Sequence, residues 1–367
     1  MKKKDLKYTS IHYMEYLQLD KVINAQALRS VQAGDEAHEE MLFIITHQVY
    51  ELWFKQIIHE LHAIMDDFDD GKVDERNIGR SVSRLSRIIK IQGLLIEQIE
   101  VMETMTALDF LEFRSYLFPA SGFQSVQFRQ MEVLLGLERE GRVKYFDADY
   151  DTVFDSPTQK KIRKWEAGNS LFSLVEDWLE RTPFLNWKDF DFISEYEKSV
   201  SSMFEREKQE ILATDILSEK SKVARLENLK HSESYFLKVL SKEEHQKQQE
   251  AGEIRLSYDA TIAALLINLY RDEPILWQPF NLLRRLIEVD QLFTTWRNRH
   301  AQMVMRMLGN KMGTGGSSGH KYLKKTADEH HIFRDLYHIV TLLVPRNCLP
   351  VLPEELKKSL GFYFSAH

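Results

Sequence analysis

The chain has 367 residues, 43% of them hydrophobic and 29% charged, with a formal net charge of -7. That length buries a substantial core in one large or two moderate domains, and the balance excludes a disordered chain. With acidic residues in excess of basic ones, no nucleic acid and no anionic membrane is expected as a partner.

The single cysteine, Cys348, excludes intrachain disulfides and thiolate-cluster zinc sites. No C-x-x-C-H stretch occurs, so a haem, if present, is not attached in the c-type manner. The opening Met1-Lys2-Lys3-Lys4 lacks the apolar stretch of a secretory signal. The longest apolar run, Ala260 to Leu269, is too short to span a bilayer. A cytoplasmic protein is expected.

Eight prolines and 15 glycines punctuate the chain, and most segments repeat every 3.6 residues; the expected fold class is all-α. Residues 13–33 read as a first helix. Its Tyr13, Tyr16 and Leu17 either pack on their own chain or form an arm that reaches a neighbouring subunit. A long helix is expected from Asp35, as N-cap, to Asp69, with Gly71 as its stop, and a second from Val73 to Ala107. A short amphipathic helix then ends near Arg114 and runs into the small-residue loop Phe118–Ser125. Helices follow from Gln127 to Leu137 and, opened by Pro157, to Arg181. Residues 187–252 are strongly charged and read as a helical hairpin, either a subdomain or an outer layer of one domain. Helices resume at Leu256–Arg271 and Gln278–Leu308, and the tail holds a helix at Phe333–Leu343 and a proline-marked stretch. The expected division is an arm with first helix at 1–33, a helical domain in two parts at 34–186 and 253–367, and the hairpin at 187–252.

The stretch Trp296–Tyr322 organises the rest. Its first half is helical, with Met303, Met307 and Leu308 on one face, and its second half becomes GTGGSSG. Glycines at this density let backbone lie close to a bound group. A P-loop fails because Gly319 is followed by His320, and His59-Glu60-Leu61-His62 lacks the H-E-x-x-H order. A di-iron bundle wants Glu-x-x-His pairs, and this chain offers aspartate instead, at Asp35–His38, Asp328–His331 and Asp335–His338. A haem needs one imidazole on a firm helix, apolar walls and donors for two propionates. His300, Met303 and the loop with Thr314, Ser317 and Ser318 meet that pattern. A lone histidine is also commonly structural, so spacing leaves both readings open. Arg114, beside Phe110 and Phe113, suits a carboxylate or an ion pair with Asp109 or Glu112. Phe43 and His47, four apart, share one helix face.

Taken together, the motifs resemble one family, the haem-dependent tryptophan 2,3-dioxygenases. The matching stretches are YMEYLQLD from Tyr13, the run from His38 through MLFIITHQVYELWFK, FRSYLFPASGFQSVQFR from Phe113, LVEDWLERTPFL at 174–185, and Trp296 to Leu323. The resemblance implies a large helical bundle around a haem pocket, assembled as a homotetramer, a dimer of dimers with exchanged N-terminal arms. It implies one non-covalent haem b per subunit, with O2 as co-substrate, and cleavage of the indole C2–C3 bond of L-tryptophan to N-formylkynurenine, which opens the kynurenine pathway. By motif, His300 is the proximal iron ligand, with Trp296, Met303, Ser121 and Gly122 at the haem. Arg114 and Thr314 hold the amino-acid part of the substrate, His47 takes the indole N–H, and Phe43 and Phe110 wall the ring. Tyr13, Tyr16 and Leu17 complete a neighbouring subunit's pocket. Where many relatives carry a second histidine five residues after the ligand, this chain has Met305. A bis-histidine haem carrier using His47 and His300, or a dioxygenase for another indoleamine, is the competing expectation.

Overall fold

The computed structural model describes residues 10–69, 74–144, 149–309, 311 and 319–362. Over these the chain is helical apart from one two-stranded hairpin, as the 3.6-residue period predicts.

The N-terminal region differs from the expected single helix. It forms three short ones, α1 (Tyr13–Leu17), α2 (Leu19–Ile23) and α3 (Arg29–Ala33). Gln18 adopts a left-handed conformation (φ 51°) that ends α1, Leu28 is extended, and Gly34 closes α3 at φ 78°. No residue of α1 or α2 is buried, and Tyr13 and Tyr16 are 72% and 71% exposed. The arm is therefore not packed on its own chain.

Two long helices follow, α4 (Glu40–Phe68) and α5 (Glu75–Met102). The first begins five residues later than expected. Asp35 is not its cap but accepts a hydrogen bond from the Tyr116 hydroxyl at 2.9 Å. Glu40 instead gathers the Arg29 amide at 2.8 Å, the Ser30 amide at 2.9 Å and the Ser30 hydroxyl, tying α3 to the start of α4. The predicted stop at Gly71 lies outside the described residues. Asp74 caps α5 by accepting from the Arg76 amide at 2.9 Å.

Helix α6 (Ala107–Arg114) opens with a Thr106–Asp109 capping box, and α7 (Val126–Leu135) is capped by Ser125. The next expected helix is two, α8 (Ser156–Glu166) and α9 (Leu171–Glu180), because Ser170 starts a fresh capping box with Ser173. At the end of α7, Gly136 has φ 115°, and a Cβ there would lie 2.6 Å from the Phe172 Cβ. Glycine thus lets α7 and α9 approach.

A small hairpin, β1 (Asn186–Trp187) and β2 (Phe190–Asp191), pairs Trp187 with Phe190. It leads into α10 (Phe192–Ala213), α11 (Glu219–Leu240) and α12 (Lys242–Glu250). The outer faces of α10 and α11 are charged, while Val200, Phe204, Phe236 and Leu240 join the main core. Helix α13 (Tyr258–Leu269) is apolar nearly all round and correspondingly buried.

The spine is α14 (Trp277–Leu308), which packs along α5 and along α15 (Gly319–Glu329), a helix the sequence reading did not anticipate. The expected tail helix is shorter, α16 (Arg334–His338) passing into a 3-10 turn, and α17 (Glu354–Leu360) follows in the proline-marked stretch. In the core, Glu132 of α7 is buried against Arg129 (3.0 Å), Arg142 (2.6 Å) and Arg297 of α14 (2.9 Å). Burial raises its pKa, but Arg142 and Arg129 outweigh that and hold the carboxyl well below the usual range.

Candidate active site

A second hydrophobic cluster stands apart from the main core. It comprises Ala37, Met102, Met105, Phe113 and Met307, with Phe43, Phe110, Met303 and Leu308 packed against it. Four elements meet there: the start of α4, the ends of α5 and α14, and all of α6. Phe43 lies 5.9 Å from Phe110 and 5.5 Å from Phe113, and the last two rings stand edge to face at 5.4 Å. Met102 and Met105 belong to this cluster and were given no site role by the sequence reading, and Phe113 was named only as a neighbour of Arg114. The one available signal was Phe113 falling three residues after Phe110.

His47 lies on this wall, its ring 4.1 Å from that of Phe43. Its Nδ1 is 2.7 Å from the Phe43 carbonyl oxygen. A carbonyl only accepts, so Nδ1 carries the hydrogen and Nε2 keeps a lone pair in the neutral ring. Burial lowers the His47 pKa, against weaker opposition from the Phe43 hydrogen bond and the Glu51 charge. The residue nevertheless presents surface to open space. The ring is held neutral on the apolar wall beside Phe43.

His300, on the last turns of α14, is likewise held neutral. Burial, and secondarily the charge of His47, brings its pKa down to about 4. The two imidazoles therefore lie within electrostatic reach of each other. Nδ1 of His300 is enclosed with no hydrogen-bond partner among the described residues. Its ring stacks on Trp296 at 5.1 Å with an interplanar angle of 8°.

Arg114 is half-buried at the end of α6, one turn from Phe110, while the Asp109 carboxylate is committed to the cap by accepting from the Thr106 amide at 2.8 Å. Ser121 caps a 3-10 turn containing Gly122, and Phe123 in that turn meets Tyr322 of α15 edge on at 5.2 Å. The structure thus brings together Phe43, Phe110 and Met303, with His47 against Phe43, while Trp296 packs on the main core and stacks on His300. Tyr13, Tyr16 and Leu17 are not among the residues packed on this cluster. Thr314 and most of the glycine loop lie outside the described residues.

The donor set fits a flat, metal-centred group: a neutral imidazole whose Nδ1 makes no hydrogen bond among the described residues, apolar walls of methionine and phenylalanine, and a second imidazole within electrostatic reach. The fold and site define a class, all-helical proteins with two neutral imidazoles beside an apolar cluster of phenylalanine and methionine. The chain belongs, within that description, to the tryptophan 2,3-dioxygenase family, whose model matches residues 2–343. A tryptophan 2,3-dioxygenase of Alteromonas mediterranea is 46% identical over 355 residues, 96% of this chain and 97% of the relative. The Dictyostelium discoideum tryptophan 2,3-dioxygenase is 46% identical over 356 residues, 97% of this chain and 89% of the relative. Tryptophan 2,3-dioxygenase B of Danio rerio is 45% identical over 350 residues, covering 95% and 86%. No helix among the described residues is long and apolar enough to cross a membrane.

Proposed function

We propose that this chain is a haem-dependent dioxygenase that cleaves the indole C2–C3 bond of L-tryptophan with O2, giving N-formylkynurenine. The observation that carries the reading is the pair of neutral imidazoles, His300 and His47, within electrostatic reach of each other beside the apolar cluster. Family membership supplies the substrate.

In this reading His300 is the iron ligand, and Trp296, Met303, Ser121 and Gly122 lie around one non-covalent haem b. When bound, the haem supplies the activation of O2 that no side chain can provide. The chain's own residues orient and desolvate. Arg114 holds the substrate carboxylate in a bidentate pair, strengthened by low local dielectric. Thr314 contacts the amino-acid moiety. Phe43 and Phe110 fix the indole plane, and Nε2 of His47 accepts the indole N–H. Fixing the substrate this way makes the encounter effectively unimolecular, worth up to roughly 7–11 kcal/mol in well-oriented systems.

The assembly belongs to the same proposal. The exposed Tyr13, Tyr16 and Leu17 of α1 form an arm that completes a neighbouring copy's pocket in a cytoplasmic homotetramer, a dimer of dimers. Residues 34–186 and 253–367 share the pocket, while 187–252 form a charged helical layer whose inner face joins the main core. The test is to reduce the haem-loaded protein, add L-tryptophan and O2, and follow N-formylkynurenine absorbance. Product formation with a five-coordinate, high-spin ferrous spectrum is expected. A six-coordinate, low-spin spectrum without product would instead identify a bis-histidine haem carrier.

A further inference from the structure

A metal-ligating histidine ordinarily donates its second ring N–H to a carboxylate, a carbonyl or water, which fixes the ring's orientation and raises its basicity. Nδ1 of His300 has no such partner among the described residues. Torsion about the bond to an imidazole ring is broad and roughly two-fold, so something else must hold its plane.

From this geometry we infer that Trp296 is the positioning residue that sets the plane of the His300 imidazole, by stacking where other sites use a hydrogen bond. The inference rests on the reading of His300 as iron ligand. Trp296 and His300 are four apart on α14 and so stand one above the other on the same face. Their rings are 8° from parallel at 5.1 Å. The indole is itself clamped. Phe128 of α7 lies 5.4 Å away at 38°, and Tyr50 of α4 meets it edge on at 6.1 Å and 69°. Tyr50 is anchored in turn, since its hydroxyl donates to the Leu95 carbonyl of α5 at 2.7 Å. Phe128 is backed by Phe54 at 5.6 Å and by Phe293 at 6.4 Å. Three helices thus fix one indole, and the indole fixes one imidazole.

The experiment uses the full chain loaded with haem b in four forms: parent, Trp296→Leu, Trp296→Phe and Phe54→Leu. Two quantities are read, haem loss to excess apomyoglobin and the iron–imidazole stretching band of the ferrous protein in resonance Raman. Trp296→Leu is expected to weaken haem binding by about 2- to 10-fold, the equivalent of one lost aromatic pair, and to shift or broaden the band. Trp296→Phe restores a stackable ring and should recover most of both. Phe54→Leu loosens the aromatic support without touching His300, and should lower the melting temperature while leaving the band in place. Should Trp296→Leu not fold, the comparison of Trp296→Phe with Phe54→Leu decides: the smaller phenyl face should leave a small but measurable shift of the band, and Phe54→Leu should leave none. A parent-like band and parent-like haem retention in both Trp296 variants overturn the inference. If instead the parent lacks an iron–imidazole band, or His300→Ala keeps it, the ligand assignment itself is wrong, whatever Trp296 does.

Discussion

Two buried polar regions of this molecule are built on opposite principles. Around Glu132, one carboxylate receives three guanidinium groups, and Arg297 also donates to the His330 carbonyl at 3.0 Å. Around the second cluster, Nδ1 of His300 is enclosed with no hydrogen-bond partner among the described residues, and His47 donates from Nδ1 to the Phe43 carbonyl. The first arrangement resembles the interior of any large domain, where buried charge persists only when paired. The second leaves hydrogen-bonding and ligating capacity unused, which is tolerable only because imidazole is neutral there. Charge paired with charge marks the scaffold, and neutral imidazole among apolar rings marks the site.

This contrast breaks most sharply at the two centres. His300→Ala should abolish haem retention and with it nearly all turnover, while leaving the melting temperature of the haem-free protein close to the parent's. Spectra and thermal scans read the two effects separately, and a variant that still binds haem through iron would end the assignment. Glu132→Ala should do the reverse, costing about 3–5 kcal/mol of folding stability by stranding buried guanidinium groups. Urea titration measures that loss, and a cost below 1 kcal/mol would mean that the cluster is not the strut described above.

Smaller effects sharpen the picture within the site. Arg114→Ala should lower kcat/KM for L-tryptophan by about 2–5 kcal/mol, with a far smaller change for tryptamine, which has no carboxylate. Equal discrimination by parent and variant would remove Arg114 as the clamp. His47→Ala should cost only about 1–2 kcal/mol, as raised KM and modestly lowered kcat, because one neutral hydrogen bond is lost. Its titration gives a further check. Burial lowers the His47 pKa below 6.5, so the accepting neutral form survives as pH falls through 6.5, and the acid limb of kcat/KM should lie below that value. In His47→Ala that limb should disappear.

The periodicity of the sequence was enough to predict an all-helical chain and to place α4, α5 and α14, because long apolar stripes overrule local propensity. The boundaries that moved have local causes invisible to that pattern. Gln18 turns left-handed without glycine or proline to announce it, and α8 stops where Ser170 can start a new capping box with Ser173. Helix α15 was hidden because the glycine run before it reads as the end of structure. Of the site, His47, Phe43, Phe110, Arg114 and His300 were legible as spacings, although their gathering into one site came only from the family's motifs. The Glu132 cluster was not legible at all. Its link to Arg297 joins residues 165 apart in sequence, and no local pattern encodes such a pair.

Arg297 lies three residues before His300 on the spine helix, and it is locked on two sides, to Glu132 and to the His330 backbone. Sliding or turning α14 by even a fraction of a residue would tear that lock. The His300 ring therefore cannot drift independently of the interior. Cofactor escape on heating should track cooperative melting of the whole domain, with no earlier loosening confined to the pocket.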